Sequence, residues 1–344
     1  MERKFKLNND KVIEEYGEPY FVAEINSSHF GDIGVAKKMI SKAKDIGIQC
    51  VKFQSWSQES LYSKTYYDEN PITKRFVKKF SLDEDDLISL FNFSKDINID
   101  FSSTPYSEEE VIFLLEKCNA PFIKIGSMEI NNHSYLEFIA KTNSAIILST
   151  GMSTYDEILS AVDVIKSSEN KDLCVLHCVS VYPCQIDKIN LKNIHLLRKA
   201  LKDIPIGYSD HTVGKEACFA ATSIGAAVIE KHFTLDRSKI GMDNQMASEP
   251  EIFHNIINTC KIIQSSLGNY KRILGHEELE QRNNMRRSIV SSRFIPAGKN
   301  ITEQDLTFKR PGDGIQPTEI SKVIGSKSLK DIEEDEVIYL SDIT

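Results

Sequence analysis

The chain carries 344 residues, 41% hydrophobic and 27% charged, an ordinary globular composition with room for one large domain and a smaller one. Its formal charge of −8 argues against broad nucleic-acid binding but leaves room for a local basic pocket that takes a small anion. The opening residues hold no apolar leader segment, and no run approaches the roughly 20 apolar residues of a membrane span, so neither secretion nor a membrane anchor is expected. The seven cysteines, odd in number and without zinc-finger spacing, read as reduced core residues of a cytoplasmic protein.

In chain order, residues 1–19 are polar and predict a short N-terminal extension. Residues 20–25 read as a strand, followed by the loop 26–32 and a helix from about residue 34 to 45. Residues 50–54 form a second strand, with Lys52 and Gln54 on alternate positions. The segment 55–81 is long, polar and aromatic, and a loop of that length is usually functional, so a lid is expected there. A helix over 81–96 opens on Ser81 as N-cap with Glu84 three residues on, a capping box. Strands follow at 100–104, 122–125, 145–148 and 173–178, each succeeded by a helix.

Residues 204–236 form the most informative unit. An apolar run over 204–206 ends in the polar turn Gly207-Tyr208-Ser209-Asp210-His211, an Ala-rich helix spans about 215–224, and a second apolar run over 226–229 ends in Glu230-Lys231-His232. That is one strand–helix–strand unit of about 30 residues, with a histidine just past the carboxyl end of each strand. Ligands of parallel α/β sheets sit at that edge, where two imidazoles can bind one metal ion. Spacing alone leaves equally open that one histidine caps a helix and the other packs in the core. With a final helix over 249–267, about eight strand–helix units in about 250 residues predict a (β/α)₈ TIM barrel over residues 1–269. An open doubly wound sheet is disfavoured because no G-x-G-x-x-G follows the first strand.

After Gly268 the character changes. Residues 270–285 are highly charged and predict a linker helix, and from Arg286 onward come short β-rich pieces and turns. Residues 286–344 are therefore expected to form a separate small domain, with a core marginal enough that it should dock on something.

The polar residues at the strand ends are Glu24, Lys52, Gln54, Thr104, Lys124, Ser127, Glu129, Ser149, Ser180, Tyr182, Ser209, His211 and His232. A barrel gathers them at one mouth. Two strand-borne lysines, several hydroxyls and two histidines describe a site for a phosphorylated or carboxylated anion beside a metal. Singly each is weak, since strand lysines often make structural ion pairs and strand-end serines often cap helices. Their coincidence at successive strand ends carries the reading.

These pieces resemble the sialic acid synthase family, the phosphoenolpyruvate-dependent nonulosonate synthases. The resemblance runs in order through Ala23-Glu24-Ile25, Val51-Lys52-Phe53-Gln54, Ser103-Thr104-Pro105, Ile123-Lys124-Ile125-Gly126-Ser127, Leu148-Ser149-Thr150-Gly151-Met152 and Tyr182-Pro183. It ends on the specific pieces Tyr208-Ser209-Asp210-His211-Thr212 and Glu230-Lys231-His232-Phe233-Thr234-Leu235-Asp236. In the C-terminal part, Arg287-Ser288, Ile295-Pro296-Ala297-Gly298 and Lys309-Arg310-Pro311-Gly312 resemble the antifreeze-like SAF domain of the same family.

The resemblance implies condensation of phosphoenolpyruvate with an open-chain N-acetylated hexosamine to a nine-carbon 2-keto acid and phosphate. It implies His211 and His232 as ligands of a divalent metal, Mn²⁺ with Mg²⁺ or Co²⁺ as alternatives. It implies Lys52, Thr104, Lys124, Ser127, Ser149 and Ser209 as the phosphoenolpyruvate cradle, and Gln54, Asn70, Tyr182 and Asp243 as sugar contacts. Glu24 is implied as a polar catalytic group, Glu129, Ser180 and Arg286 as further substrate contacts. A homodimer is implied in which the small domain swaps over the partner's barrel mouth and Arg310 acts in trans. Departures from the family pattern at Ser28, Ser180 and Met242 put N-acetylmannosamine in doubt and make diacetamido-dideoxyhexoses, of the legionaminic or pseudaminic kind, equally eligible. Two other readings remain: a Schiff-base pyruvate aldolase using Lys52 or Lys124, and a non-catalytic sugar-binding barrel.

Overall fold

The structure, a computed structural model, describes residues 3–344; the first two residues of the expected N-terminal extension lie outside the described part. By its internal contacts the chain divides into two units, one ending at Gly268 and one spanning Asn269–Thr344.

Eight parallel strands build the first unit: β1 (Tyr20–Glu24), β2 (Cys50–Gln54), β3 (Asp100–Thr104), β4 (Ile123–Ile125), β5 (Ile146–Ser149), β6 (Leu173–Cys178), β7 (Ile206–Asp210) and β8 (Val228–His232). The hydrogen-bonded order is β3-β2-β1-β8-β7-β6-β5-β4. The Ser102 hydroxyl of β3 donates to the Phe122 carbonyl beside β4 at 3.0 Å, which brings the two outer strands together and leaves a nearly closed barrel. Eight helices alternate with the strands: α1 (Ile33–Asp45), α2 (Glu84–Asp96), α3 (Glu108–Glu116), α4 (His133–Lys141), α5 (Tyr155–Ser167), α6 (Lys192–Ala200), α7 (Glu216–Ser223) and α8 (Pro250–Leu267). The expected TIM-barrel architecture is the observed one.

Strand pleating sorts the side chains. Phe21, Ala23, Val51, Phe53, Phe101, Ile123, Ile125, Ile146, Leu148, Val175 and Ile229 face outward and join the helices in one large core. The alternate residues Tyr20, Val22, Cys50, Phe122, Ala145, Ile147, Cys174, Leu176 and Val228 fill the lower barrel interior. The N-terminal extension is more than a polar tail. Lys4–Lys6 and Val12–Glu14 pair as an antiparallel hairpin, and Phe5, Leu7 and Ile13 join that interior cluster. The hairpin alternates exposed and buried residues, so it plugs the amino-end of the barrel. All seven cysteines are free and buried, and no helix among the described residues is long and apolar enough to cross a membrane.

Three expectations of local structure change. The Gly207–Asp210 stretch is strand, not turn, because β7 continues to Asp210 and pairs with β8 through Tyr208 and Ser209. The expected lid loop over 55–81 is helical, as Gln58–Leu61, Lys64–Glu69 and Pro71–Phe80, held by Trp56, Tyr67, Val77 and Phe80. Ser81 closes the last of these helices, and Asp83 takes over the N-cap of α2 by accepting from the Asp86 N–H.

The second unit contains α9 (His276–Met285), β9 (Ser288–Ser291) and β10 (Leu306–Lys309), the two strands pairing antiparallel. Its core is almost wholly aliphatic: Ile289, Ile295, Ile301, Ile315, Val323, Ile332, Ile338 and Ile343. The helix expected over 270–285 begins only at His276. It does not stand apart as a linker: the Gly312 N–H donates to the Asn283 carbonyl at 2.6 Å, so α9 packs on the turn that carries Arg310.

The loop after β1 is fastened to the lid. Gly31 has φ +74°, and a Cβ there would meet the Lys79 carbonyl oxygen at 2.2 Å, while Phe30 packs edge-on against Phe80. We expect Gly31→Ala to cost about 1–3 kcal/mol from backbone strain and the close approach together, read as a lower denaturation midpoint. A midpoint at or above that of the parent would show that the lid does not seat on this glycine.

Candidate active site

The alternation that fills the lower barrel with apolar side chains changes to polar ones in its upper half. Glu24 of β1, Lys52 and Gln54 of β2, Thr104 of β3, Lys124 after Ile123, Ser149 of β5, Cys178 of β6, Ser209 of β7, and Glu230 and His232 of β8 all line one cavity at the carboxyl end. Ser127, Ser180, Tyr182 and His211, from the loops just beyond the strands, complete it. Strand register sets the neighbours: His232 pairs with Glu24, and Glu24 pairs with Lys52.

Four charged groups meet on the cavity floor. The Lys52 ammonium donates to Glu24 and, at 2.9 Å, to the Thr104 hydroxyl. It lies 3.8 Å from Glu230, and Lys124 lies 3.9 Å from the other oxygen of the same carboxylate. Lys124 also donates to Ser149 Oγ at 2.7 Å and to the Ile125 carbonyl at 2.9 Å. Glu230 Oε1 accepts from Ser209 Oγ at 2.9 Å, while its Oε2 is buried without a hydrogen-bond partner. All four side chains are 8% exposed or less, so opposite charges and the neighbouring hydroxyls and carbonyl stand in for water around them. Burial drives Glu24 above the ordinary carboxylate range, against Lys52 and with the help of Glu230. Burial would likewise raise Glu230, but Lys124 and Lys52 outweigh it and hold that carboxyl low. Lys52 resists burial because two carboxylates face it, and is raised; Lys124 is lowered by burial, which Glu230 offsets only in part.

The two histidines stand with ring centroids 5.6 Å apart, and the Tyr182 ring lies 4.3 Å from that of His211. Burial lowers both, His232 furthest, and His211 adds to the lowering of His232, so both are neutral at physiological pH. Nδ1 of His211 lies 2.8 Å from the Val179 carbonyl; an N–H there donates to that carbonyl and leaves Nε2 with its lone pair toward the cavity. A neutral imidazole fixed through its other nitrogen is the form that ligates metals. Among the described residues no group of three or more His, Cys, Asp and Glu is arranged as a metal site; the nitrogen donors the cavity offers an ion are the two neutral imidazoles.

The loop hydroxyls have a specific cradle. The Gly151 N–H donates to Ser127 Oγ at 2.9 Å and to Cys178 Sγ at 3.1 Å. A side chain at 151 would meet Ser180 Oγ at 2.1 Å, so glycine there is what lets three side chains converge.

Other predicted residues lie elsewhere. Asn70 ends a lid helix with its amide on the Tyr66 carbonyl, outside the cavity lining. Glu129 accepts from Asn132 and also stands outside the lining. Asp243 lines a smaller neighbouring pocket that shares Tyr182 with the cavity. Ser28, read as a recognition difference, is buried and outside the cavity lining. Arg286 and Arg310 are exposed on the second unit, where the Gly312 backbone packs against Arg286. Sequence reasoning missed Glu230 as a site residue, although it stands two residues before His232 on one strand face, and it missed Tyr106, Met128, Met152 and Cys178, which also line the cavity. The intervening Lys231 faces outward and pairs with Asp210 in a buried ion pair.

A parallel (β/α)₈ barrel with two lysines, two carboxyl groups and two neutral imidazoles buried at its carboxyl end is the scaffold of an enzyme. The chain belongs to the NeuB family, whose model matches residues 39–272, and a SAF domain model matches residues 286–344. It is 36% identical to the N,N'-diacetyllegionaminic acid synthase of Campylobacter jejuni (92% of this chain, 98% of that one) and 35% identical to the one from Legionella pneumophila (94% of each). It resembles the crystal structure of an N-acetylneuraminic acid (sialic acid) synthetase from Leptospira borgpetersenii at TM-score 0.75 and 32% identity, over 83% of this chain and 98% of that one.

The floor charges make a stability test. Lys52→Met strands two buried carboxylates, and we expect a loss of about 3–5 kcal/mol. Adding Glu24→Gln should recover much of that stability. A single variant as stable as the parent, measured by chemical denaturation, would mean that the floor is not charged as described.

Proposed function

We propose that this enzyme is a nonulosonate synthase of the sialic acid type, condensing phosphoenolpyruvate with an open-chain N-acetylated hexosamine to a nine-carbon 2-keto acid and phosphate. The observation that carries this reading is the pair of buried ammonium groups, Lys52 and Lys124, among the hydroxyls of Thr104, Ser149 and Ser209. Two fixed cations ringed by donors suit a molecule bearing both a carboxylate and a phosphate.

In this reaction C3 of the enol attacks the aldehyde carbon. A C–C bond forms, the carbonyl electron pair moves to oxygen, and that oxygen takes a proton to become a hydroxyl. Water adds to the electron-poor C2 and gives up a proton, and the tetrahedral carbon then expels phosphate by C–O cleavage, leaving the 2-keto acid. Glu24, raised by burial and in contact with Lys52, is suited to hold or release a proton beside the reacting carbons. Glu230 faces both lysines and offsets part of what burial costs their charged forms. His211 and His232 would hold a divalent ion, Mn²⁺ or else Mg²⁺ or Co²⁺, which supplies Lewis acidity at the aldehyde oxygen.

The sugar end of the reading rests on the small pocket of about 100 Å³ beside the cavity. Val213, Met242 and Met246 give it an apolar wall opposite Asp243 and Gln245. An apolar wall favours a deoxy terminus over a hydroxylated one, and the names of the Campylobacter and Legionella relatives point the same way. We therefore assign a 6-deoxy diacetamido sugar as the substrate class.

Phosphate release from phosphoenolpyruvate, measured across a panel of N-acetylated hexoses, tests the reaction and the sugar together. A 6-deoxy diacetamido sugar should outrank N-acetylmannosamine. A chelator should abolish turnover and Mn²⁺ restore it, and His211→Ala or His232→Ala should each cost at least about a hundredfold in kcat/KM. Full activity of the metal-free protein would remove the metal from the reading. Borohydride trapping of a pyruvate adduct would replace the synthase with a Schiff-base aldolase.

A homodimer with composite sites belongs to the same reading. Its support is the exposed Arg310, whose guanidinium offers a rigid fork of donors for hydroxyl and amide oxygens, on a turn braced by α9. Mixing Arg310→Ala chains with His211→Ala chains should raise activity well above either parent, since one of the two sites in each mixed dimer is then intact. No gain despite demonstrated mixed dimers would place Arg310 in its own subunit's site or outside any site.

A further inference from the structure

The loop that carries Asp243 is anchored by a residue that no strand of the barrel supplies. Asn26, the second residue after β1, is buried and adopts φ +44°. That left-handed conformation is open to glycine, asparagine and aspartate at little cost and to few other residues. Its backbone N–H donates to Glu24 Oε1 at 2.7 Å, and its side-chain amide donates to the Asp243 carboxylate. One residue thus touches a floor carboxylate on one side and the rim loop on the other.

A second, separate contact joins the same two loops. A side chain at Gly241 would lie 3.3 Å from the Phe30 ring, and the Lys239 ammonium sits over that ring at 5.6 Å. Within the rim loop, Asn244 is fully buried and donates to the Asp236 and Lys239 carbonyls, which cross-braces the segment 236–244. The Asn26–Asp243 bond is its polar tie to the loop after β1; at its ends the loop is also held to β8, by Thr234 donating to Asn244 and by the Ser248 N–H donating to the His232 carbonyl at 2.8 Å.

We propose that Asn26 is a positioning residue that sets sugar recognition by latching the 236–248 loop, and with it Asp243, against the end of β1. The amide gives Asp243 a charge-assisted donor, fixing which carboxylate oxygen is left for substrate. Because Asn26 holds Glu24 only through its backbone, a side-chain change loosens the rim and spares the floor. Sugar binding and phosphoenolpyruvate binding should therefore separate.

The kinetic arm rests on the synthase reading, and a second arm does not. Asn26→Gly keeps the left-handed backbone and deletes the amide. Asn26→Asp keeps backbone and volume and sets a carboxylate against Asp243. With a 6-deoxy diacetamido sugar as probe, we expect KM for the sugar to rise roughly tenfold in Asn26→Gly and further in Asn26→Asp, with KM for phosphoenolpyruvate within about twofold of wild type. Hydrogen exchange of the ligand-free protein should show faster exchange over residues 236–248 in both variants and unchanged exchange in β1 and β8. A residue that merely fills space or tolerates positive φ would leave Asn26→Asp like the parent in both arms. Unchanged sugar KM in an otherwise active enzyme overturns the proposal. If the wild type turns over no sugar, the synthase reading fails instead, and exchange alone decides: unchanged protection of 236–248 in both variants overturns the latch.

Discussion

Two lysines that must remain charged inside a protein dominate the architecture of this barrel. An isolated ammonium buried to this depth would lose its proton. Lys52 avoids that because Glu24 and Glu230 face it, and Glu230 offsets part of the same penalty at Lys124, the two carboxylates being delivered by different strands. Only a closed parallel barrel brings β1, β2, β4 and β8 to one point with fixed register. The hairpin plug and the apolar lower layers serve the same requirement, since they cover the cluster from below and leave it facing the mouth.

The charge balance is also unequal, and the inequality is chemically useful. Glu230 faces both lysines and stays ionised; Glu24 faces one lysine and feels Glu230, so it sits higher. Two carboxylates with separated proton affinities are the usual arrangement when one must hold charge and the other must handle a proton. The imidazoles complete the division. They are neutral because they are buried, and hence available as lone-pair donors rather than as further cations beside the lysines.

Much of this was legible in the sequence because period-two alternation marks both the strand and the face. Lys52 with Gln54, and Lys124 inside an apolar run, identify inward positions at the carboxyl end without any structure. Glu230 escaped notice because Glu230-Lys231-His232 reads as one polar terminus until pleating assigns Lys231 to the outer face, where Asp210 neutralises it. The Gly207–Asp210 strand was hidden for a related reason: polar residues and a glycine signal a turn on a surface, but here Gly207 and Ser209 take the inward face of a strand while Tyr208 and the ion-paired Asp210 take the outer one. The lid failed differently. Its helices are short and held by the aromatic cluster of Trp56, Tyr67 and Phe80, a tertiary cause that local pattern does not carry. Asn70 and Glu129 are placed by those same loop and helix-end geometries rather than by strand register, which is why spacing alone could not locate them.

That contrast separates two kinds of residue in the site. Groups on strands have positions dictated by register, and altering one disturbs a balanced charge cluster. Groups on loops are held by individual contacts, such as Phe30 on Gly241 or Gly31 under Lys79. The loop after β1 touches the floor through Glu24, the lid through Gly31 and Phe80, and the rim through Asp243. A change there alters the rim without touching the buried lysines of the floor. Rigid charge below and individually held contacts above make the two parts of the site separable, since the energetic constraint that fixes the floor does not extend to the rim.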